Sequence, residues 1–383
     1  MRTIRSDELA GRLEPLFREN FEQAGELGAA LSIWQDGCPI LDLHGGFRDA
    51  RREEAWTADT IVLFWSATKG LGSACLLHVL QEETIGLERK VAEFWPEFAQ
   101  AGKGAITLAQ VLSHQAGLAA LDQPAELTDH ASVVHALEKQ EPLWPPGTAH
   151  GYHARTFGFL LDELVRRIAG RTIGNYWREV FGDPLGLDLW IGLPEEENAR
   201  AATVYAAKAA GPPLDPFYRA LTTPGTLQRR VFASPRGLQA VSAMNAPENR
   251  AHSLVSLGGI GSAHALGRFY ALLAGGGELD GHRLFSAATI EQMTTTLASG
   301  TDRVFLLPTA FSAGFMKDPP GAEKRMFGSA PLAFGHPGAG GSLAFADPEN
   351  RVAFAYVMNQ MEQKVLPNEK SLRLVRALYR EGR

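Results

Sequence analysis

Two cysteines, Cys38 and Cys75, are all the thiol chemistry that 383 residues offer. That excludes a disulfide framework; one disulfide is possible in principle, but two thiols so far apart in a large chain read as reduced and partly buried. Positive charge is short as well: 37 Lys and Arg against 43 Asp and Glu leave a net charge of -6. Nucleic acid needs a basic face, so no nucleic-acid partner is expected, and the charge reads as solvated acidic surface. No stretch approaches the roughly 20 apolar residues of a membrane span. Arg2, Arg5, Asp7, Glu8, Arg12 and Glu14 interrupt any signal-peptide core at the start. The expectation is a cytoplasmic protein without a membrane partner. Two catalytic signatures are also missing. Gly340-Gly341-Ser342-Leu343-Ala344 ends in alanine where a nucleophile elbow needs glycine, and its serine precedes a strand instead of a helix. His-Glu-x-x-His is absent, and no acidic cluster or second pair accompanies His150 and His153. No metal is therefore expected, and these two histidines read as solvent or loop residues.

What is present is the material of an ordinary globular protein, 45% hydrophobic and 21% charged. The length suits one large composite domain or two intimate ones. Leu9, Leu13, Leu16, Phe17 and Phe21 recur at helical spacing, with Ser6 or Asp7 as cap. A hairpin pattern follows, Ala29 to Trp34 and Ile40 to Leu43 around an Asp36-Gly37 turn. The other end repeats the theme: strand-like Ser342 to Ala346 and Arg351 to Met358, then a helix from about Glu369 to Tyr379. With no βαβ alternation, this predicts an α+β fold whose two ends share one antiparallel sheet flanked by helices. The middle, from about Gly86 to Arg250, reads as helices such as Thr107 to Ser113 and Thr156 to Ile168 between Pro- and Gly-rich loops. Within it Ala206 to Pro235, with Phe217, Tyr218 and Phe232, reads as an irregular binding-site wall. The expected division is a discontinuous sheet domain (1–85 and 255–383) and a mainly helical one (86–254), with the active site in the cleft between.

Chemistry begins at Ser66-Ala67-Thr68-Lys69. Residues three apart share a helix face, so the amine reaches the serine oxygen. A serine in a first helical turn also meets N–H groups and a dipole that favour an oxyanion. A buried lysine loses its proton readily and can accept that of the serine. With 9 lysines and 17 serines in the chain, chance alone supplies roughly 0.4 such pairs, so the motif gains weight only from context. The apolar run Leu71 to Leu80 would hold this helix in the core. Pro146-Gly147-Thr148-Ala149-His150-Gly151-Tyr152 puts a tyrosine after a Pro-Gly turn and before a helical stretch. Gly335-His336-Pro337-Gly338-Ala339-Gly340-Gly341-Ser342 leads into a strand with small residues that admit a close backbone approach.

In this order the three elements resemble class C β-lactamases and, more closely, the β-lactamase-like carboxylesterases called family VIII. Ile106 to Leu118, Gly258 to Ser262 and Gly335 to Asn359 add to the resemblance, which covers nearly the whole chain. It implies a β-lactamase/transpeptidase-like fold and a serine carboxylesterase acting on a small-molecule, short-chain ester through an acyl-enzyme, with no cofactor. Ser66 matches the nucleophile, Lys69 the amine beside it and Tyr152 the tyrosine of Tyr-x-Asn. His336-Pro337-Gly338 stands where the lactamases carry Lys-Thr-Gly. His336 and Gly338 would then contact substrate, and Ala339 would supply an oxyanion-hole N–H beside that of Ser66. Ala154 replaces the usual Asn and His336 the usual Lys; both departures weaken a dedicated β-lactamase. A β-lactamase, an acyltransferase on the same scaffold and a catalytically idle sensor are the alternatives. Lys69 and Tyr152 stay open as base, and a homo-oligomer is compatible with the sequence.

Overall fold

The computed structural model describes residues 4–208, 215–323, 325–364 and 366–379. Its main feature is an eight-stranded sheet assembled from the two ends of the chain. The first hairpin joins β1 (Gly28–Gln35) to β2 (Cys38–Gly46) through Asp36 and Gly37, both at positive φ of 51° and 78°. Two left-handed residues give the turn whose twist matches that of paired strands. Two short strands, β3 (Val62–Leu63) and β4 (Leu189–Ile191), flank β5 (Gly259–Gly261) in a separate three-stranded sheet. A small hairpin, β6 (Glu278–Leu279) with β7 (His282–Arg283), stands apart.

The remaining strands are β8 (Ala298–Thr301), β9 (Pro308–Phe311), β10 (Met316–Lys317), β11 (Phe334–Pro337), β12 (Leu343–Asp347) and β13 (Val352–Met358). They complete the large sheet in the order β2-β1-β13-β12-β11-β10-β9-β8, every ladder antiparallel. Ala29 pairs with Met358 and Gln35 with Val352, so first and last hairpins lie side by side. Strands β1, β12 and β13 are buried along their whole length because both faces are covered. The helix Ala263–Ala274 covers one face, packing on β1, β12 and β13. The helices Ser6–Glu22 and Glu369–Leu378 pack together, the first also against β2, and their apolar stripes join a second core cluster. Every residue of edge strand β2 is half-buried or exposed.

Several sequence expectations need correcting. Ser6 and Asp7 fall inside the first helix, whose N-cap is Arg5 with no side-chain cap bond. Thr107 is a cap and not a helical residue; its side chain and Gln110 exchange hydrogen bonds with each other's backbone N–H, starting Leu108–Leu112. The stretch from Ala206 to Pro235, read as irregular, holds the helices Pro216–Thr222 and Leu227–Ala233, capped by Asp215 and Thr226; its residues 209–214 lie outside the described ones. Cys38 is exposed, Cys75 is buried, and both are free. Among the described residues no helix is long and apolar enough to cross a membrane.

Candidate active site

Backbone strain marks the start of the site. Trp65 adopts a left-handed φ of 51°, a conformation that costs a non-glycine residue on the order of 1 kcal/mol and persists only where packing enforces it. Ser66 follows in a single 3-10 turn, Trp65–Ala67, immediately before the helix Thr68–Glu82. Ser66 therefore precedes that helix by two residues, outside the first turn the sequence suggested, and is half-buried at a cavity. Thr68 ties the turn down: its hydroxyl donates to the Trp65 carbonyl at 2.5 Å and accepts from the Gly259 N–H at 2.8 Å. Residues Thr68 to Leu80 are all buried, so the apolar run does hold the helix in the core.

Lys69 has no exposed surface. Its Nζ lies 3.2 Å from the Ser66 Oγ, 2.9 Å from the Ala154 carbonyl and 2.6 Å from the Ser256 carbonyl. Among the described residues no carboxylate pairs with it. Burial, helped by the Arg155 charge, pushes its pKa well below the ordinary lysine range. Two carbonyl acceptors engage two N–H groups of the amine. In the neutral form the remaining position is a lone pair, and it faces the serine hydroxyl.

Tyr152 reaches the same point from the loop before the helix Phe157–Ala169. Its ring stacks on Phe305 at 4.5 Å between centroids and lies 5.9 Å from the His336 ring, and the Lys69 Nζ sits 4.8 Å from its centre. Burial raises the phenol pKa above the usual tyrosine range, while the facing Ser66 hydroxyl pulls it down and Asp302 pushes it up. The phenol stays protonated across the neutral range.

The third wall is the junction between β11 and β12. Ala339 does not lie on a strand; it opens a short turn, Ala339–Gly341, with Gly340 at a φ of 84°. Among the described residues the N–H groups of Ser66 and Ala339 donate to no carbonyl, and both residues line the cavity. Gly338 allows the approach: a Cβ there would stand 2.2 Å from the Phe64 carbonyl oxygen. His336 is buried, its Nδ1 2.7 Å from the Pro337 carbonyl, and its Nε2 has no hydrogen-bond partner among the described residues. Burial and the nearby Lys69 amine lower its pKa to about 3, so the ring is neutral in working buffers.

The cavity between these walls measures about 140 Å³, close to the roughly 150 Å³ that accommodates one benzene-sized guest. Phe217, Tyr218, Leu221 and Phe232 close one side of it, so the stretch read as a wall does line the cavity, joined by Phe305 and Met316. The last two were not legible. Phe305 is brought in from a distant loop, and its only local signal is Asp302 two and three residues before Val304 and Phe305, an Asx-turn pattern. His150 and His153 do lie in a loop, as the sequence reading allows, but they are not solvent residues. Both are buried: His150 bonds Thr309 at 2.9 Å, and His153 accepts from the Leu118 N–H and donates to the Gly151 carbonyl. Among the described residues no group of three or more His, Cys, Asp or Glu could hold a metal ion.

Comparison with known proteins agrees with this arrangement. A family model described as Beta-lactamase matches residues 13–377. The Esterase/beta-lactamase LipL of Mycobacterium tuberculosis is 33% identical over 355 residues, covering 87% of this chain and 77% of that protein. The crystal structure of a penicillin-binding protein homolog from Caulobacter crescentus has a TM-score of 0.87 at 37% identity, covering 99% of this chain and 98% of the other. That of a family VIII carboxylesterase has a TM-score of 0.86 at 33% identity, over 99% and 98%. The chain thus belongs to the β-lactamase family, with family VIII carboxylesterases among its structural neighbours, and is a serine hydrolase.

Proposed function

We propose that this hydrolase is a carboxylesterase that cleaves short-chain acyl esters through an acyl-enzyme on Ser66. The observation that carries the reading is the Lys69 amine, buried with no counter-ion among the described residues, with two carbonyls engaging its N–H groups and Ser66 at its third position. Lys69 is the base in this reading. It takes the Ser66 proton as Oγ bonds to the ester carbonyl carbon, and the Ser66 and Ala339 N–H groups hold the oxyanion, each donor contributing roughly 3 kcal/mol. The carbon–oxygen bond to the alcohol breaks, and the alkoxide takes its proton from the Tyr152–Lys69 pair. Water then adds by the same route, and the carboxylic acid leaves. The sheet unit, 1–85 with 255–383, supplies Ser66, Lys69 and Ala339, and the 86–254 unit supplies Tyr152. Strand β4 extends from the latter into the small sheet of the former, which supports two units working as one body.

The cavity volume and its aromatic lining favour a short acyl group. The name of the LipL relative joins esterase with β-lactamase, which makes lactam hydrolysis the second reading. His336 speaks against it. The substrate carboxylate of a β-lactam would meet a neutral ring where the lactamases place a lysine. One missing charge-assisted hydrogen bond of roughly 1.5–3 kcal/mol costs about ten- to a hundredfold, and Ala154 offers no amide. The test is kcat/KM for a short-chain nitrophenyl ester against nitrocefin at pH 7 and 8. The ester is expected to lead by at least about tenfold; equal or better turnover of nitrocefin makes the protein a β-lactamase.

The oxyanion wall has its own test. Gly338→Ala forces β11 away from Phe64 and moves the Ala339 N–H with it. A displacement near 1 Å costs about 10²-fold in rate, so kcat should fall by that order with the protein still folded. Near-normal kcat in Gly338→Ala removes Ala339 from the oxyanion hole.

A further inference from the structure

One carboxylate joins the tyrosine of the site to its aromatic wall. Asp302 is completely buried, and its Oδ1 accepts three backbone N–H bonds, from Tyr152 at 3.2 Å, Val304 at 2.7 Å and Phe305 at 2.9 Å. Two of those donors belong to residues whose rings stack on each other at 4.5 Å beside Ser66. The other oxygen, Oδ2, accepts from the Thr309 hydroxyl at 3.3 Å, and Thr309 in turn meets His150 Nε2 at 2.9 Å. The Arg303 N–H donates to the His150 carbonyl at 3.1 Å. Residues 150–152 are thus pinned to the 302–309 segment at three points; the Asp302 side chain makes one of them and holds the Thr309 hydroxyl that makes a second. The same loop receives the Gln228 side chain on the Arg303 carbonyl at 2.9 Å, which fastens the helix Leu227–Ala233 of the cavity wall.

We propose that Asp302 is a positioning residue for catalysis: by accepting the N–H groups of Tyr152 and Phe305 with one oxygen, it sets the Tyr152 phenol against Ser66. This rests on the esterase reading of the site. A proton-transfer group must sit within hydrogen-bond reach of the atom it serves, and a displacement of about 1 Å can cost 10²-fold. A buried carboxylate with three N–H donors on one oxygen fixes backbone geometry more tightly than packing alone. Its function is acceptance, not charge, so an amide oxygen in the same place should substitute for it.

The experiment compares Asp302→Asn with Asp302→Ala at a temperature well below both melting transitions. A short-chain nitrophenyl ester is the substrate, and kcat is normalised to Ser66 titrated with a fluorophosphonate. Asp302→Asn keeps an acceptor oxygen facing the three N–H groups and should stay within about threefold of the parent kcat. Asp302→Ala leaves those groups unsatisfied and should lose about 30-fold or more in kcat, with phosphonylation of Ser66 slowed in parallel. If Asp302→Ala does not fold, Asp302→Ser replaces it; that hydroxyl, one bond shorter, can serve the neighbouring Val304 and Phe305 N–H groups without spanning to Tyr152. A merely structural role predicts lower melting temperatures with unchanged kcat per titrated site, and that result overturns the proposal. So does an Asp302→Asn variant as slow as Asp302→Ala, which would make charge the active property. An inactive parent enzyme refutes the esterase reading instead, and the two failures are told apart by the parent control.

Discussion

Ser66→Ala is expected to lower kcat on a short-chain ester by at least about 10⁴-fold, and to do so without loss of fold. The size follows from what the oxygen does. In the proposed mechanism no acyl-enzyme forms without it, and what would remain is catalysis of direct water attack by the oxyanion donors and by binding. In serine hydrolases of other folds, nucleophile removal costs about 10⁶, with a residue of 10³–10⁴ over water. The substitution deletes one half-buried oxygen, 3.2 Å from the Lys69 amine and facing the Tyr152 phenol, so stability should change little. The check is kcat on a nitrophenyl ester together with the melting temperature. Retention of more than about 1% of the parent rate in a folded variant would remove Ser66 from the nucleophile role.

Lys69→Ala should cost about 10²–10³-fold in kcat, the usual worth of a positioned proton-transfer group, and Tyr152→Phe at least about 10²-fold. The two effects should differ in their pH dependence. Burial lowers the Lys69 pKa, and in the proposed mechanism the neutral amine is the active form. The rate is therefore present above the folded-state pKa of Lys69 and is lost as pH falls through it. That acid limb should disappear in Lys69→Ala and persist in Tyr152→Phe, because the Tyr152 phenol is pushed upward by burial and does not titrate near neutrality. His336 and His153, lowered to about 3 and about 4, cannot supply a limb near neutral pH. An acid limb unchanged in Lys69→Ala contradicts Lys69 as base. Tyr152→Phe keeps the ring on Phe305, so its loss isolates the hydroxyl; near-normal turnover there would make Tyr152 a core residue.

How far the sequence goes is clearest at individual residues. The terminal hairpins are legible because each carries a turn signal between apolar runs, and their pairing into one sheet follows from the mirrored helix-and-hairpin pattern at the two ends. Strand β4 is not legible, since three residues cannot show a period, and it pairs with β5 from a segment that otherwise reads as helical. Ser66, Lys69 and Tyr152 announce themselves by residue type and order. What makes Lys69 chemically distinctive does not: the carbonyls of Ala154 and Ser256 are backbone groups, carry no residue signature, and approach the amine only through packing of three separate segments. Asp302 and Phe305 show only a local Asx-turn pattern, which says nothing of a tyrosine about 150 positions away. His150 and His153 are loop residues, as the sequence suggests, but nothing in the sequence shows that they are buried. Hydrogen bonds to Thr309, Leu118 and Gly151 are what permit their burial.

The measurement that bears most directly on the central claim is peptide mapping of the covalent adduct formed with an activated short-chain ester, quenched in acid during turnover, and with a fluorophosphonate. A single acyl or phosphonyl group on the peptide containing Ser66, transient for the ester and persistent for the phosphonate, is the predicted result. A label on Ser342, or turnover of the ester with no adduct on any serine, would contradict it.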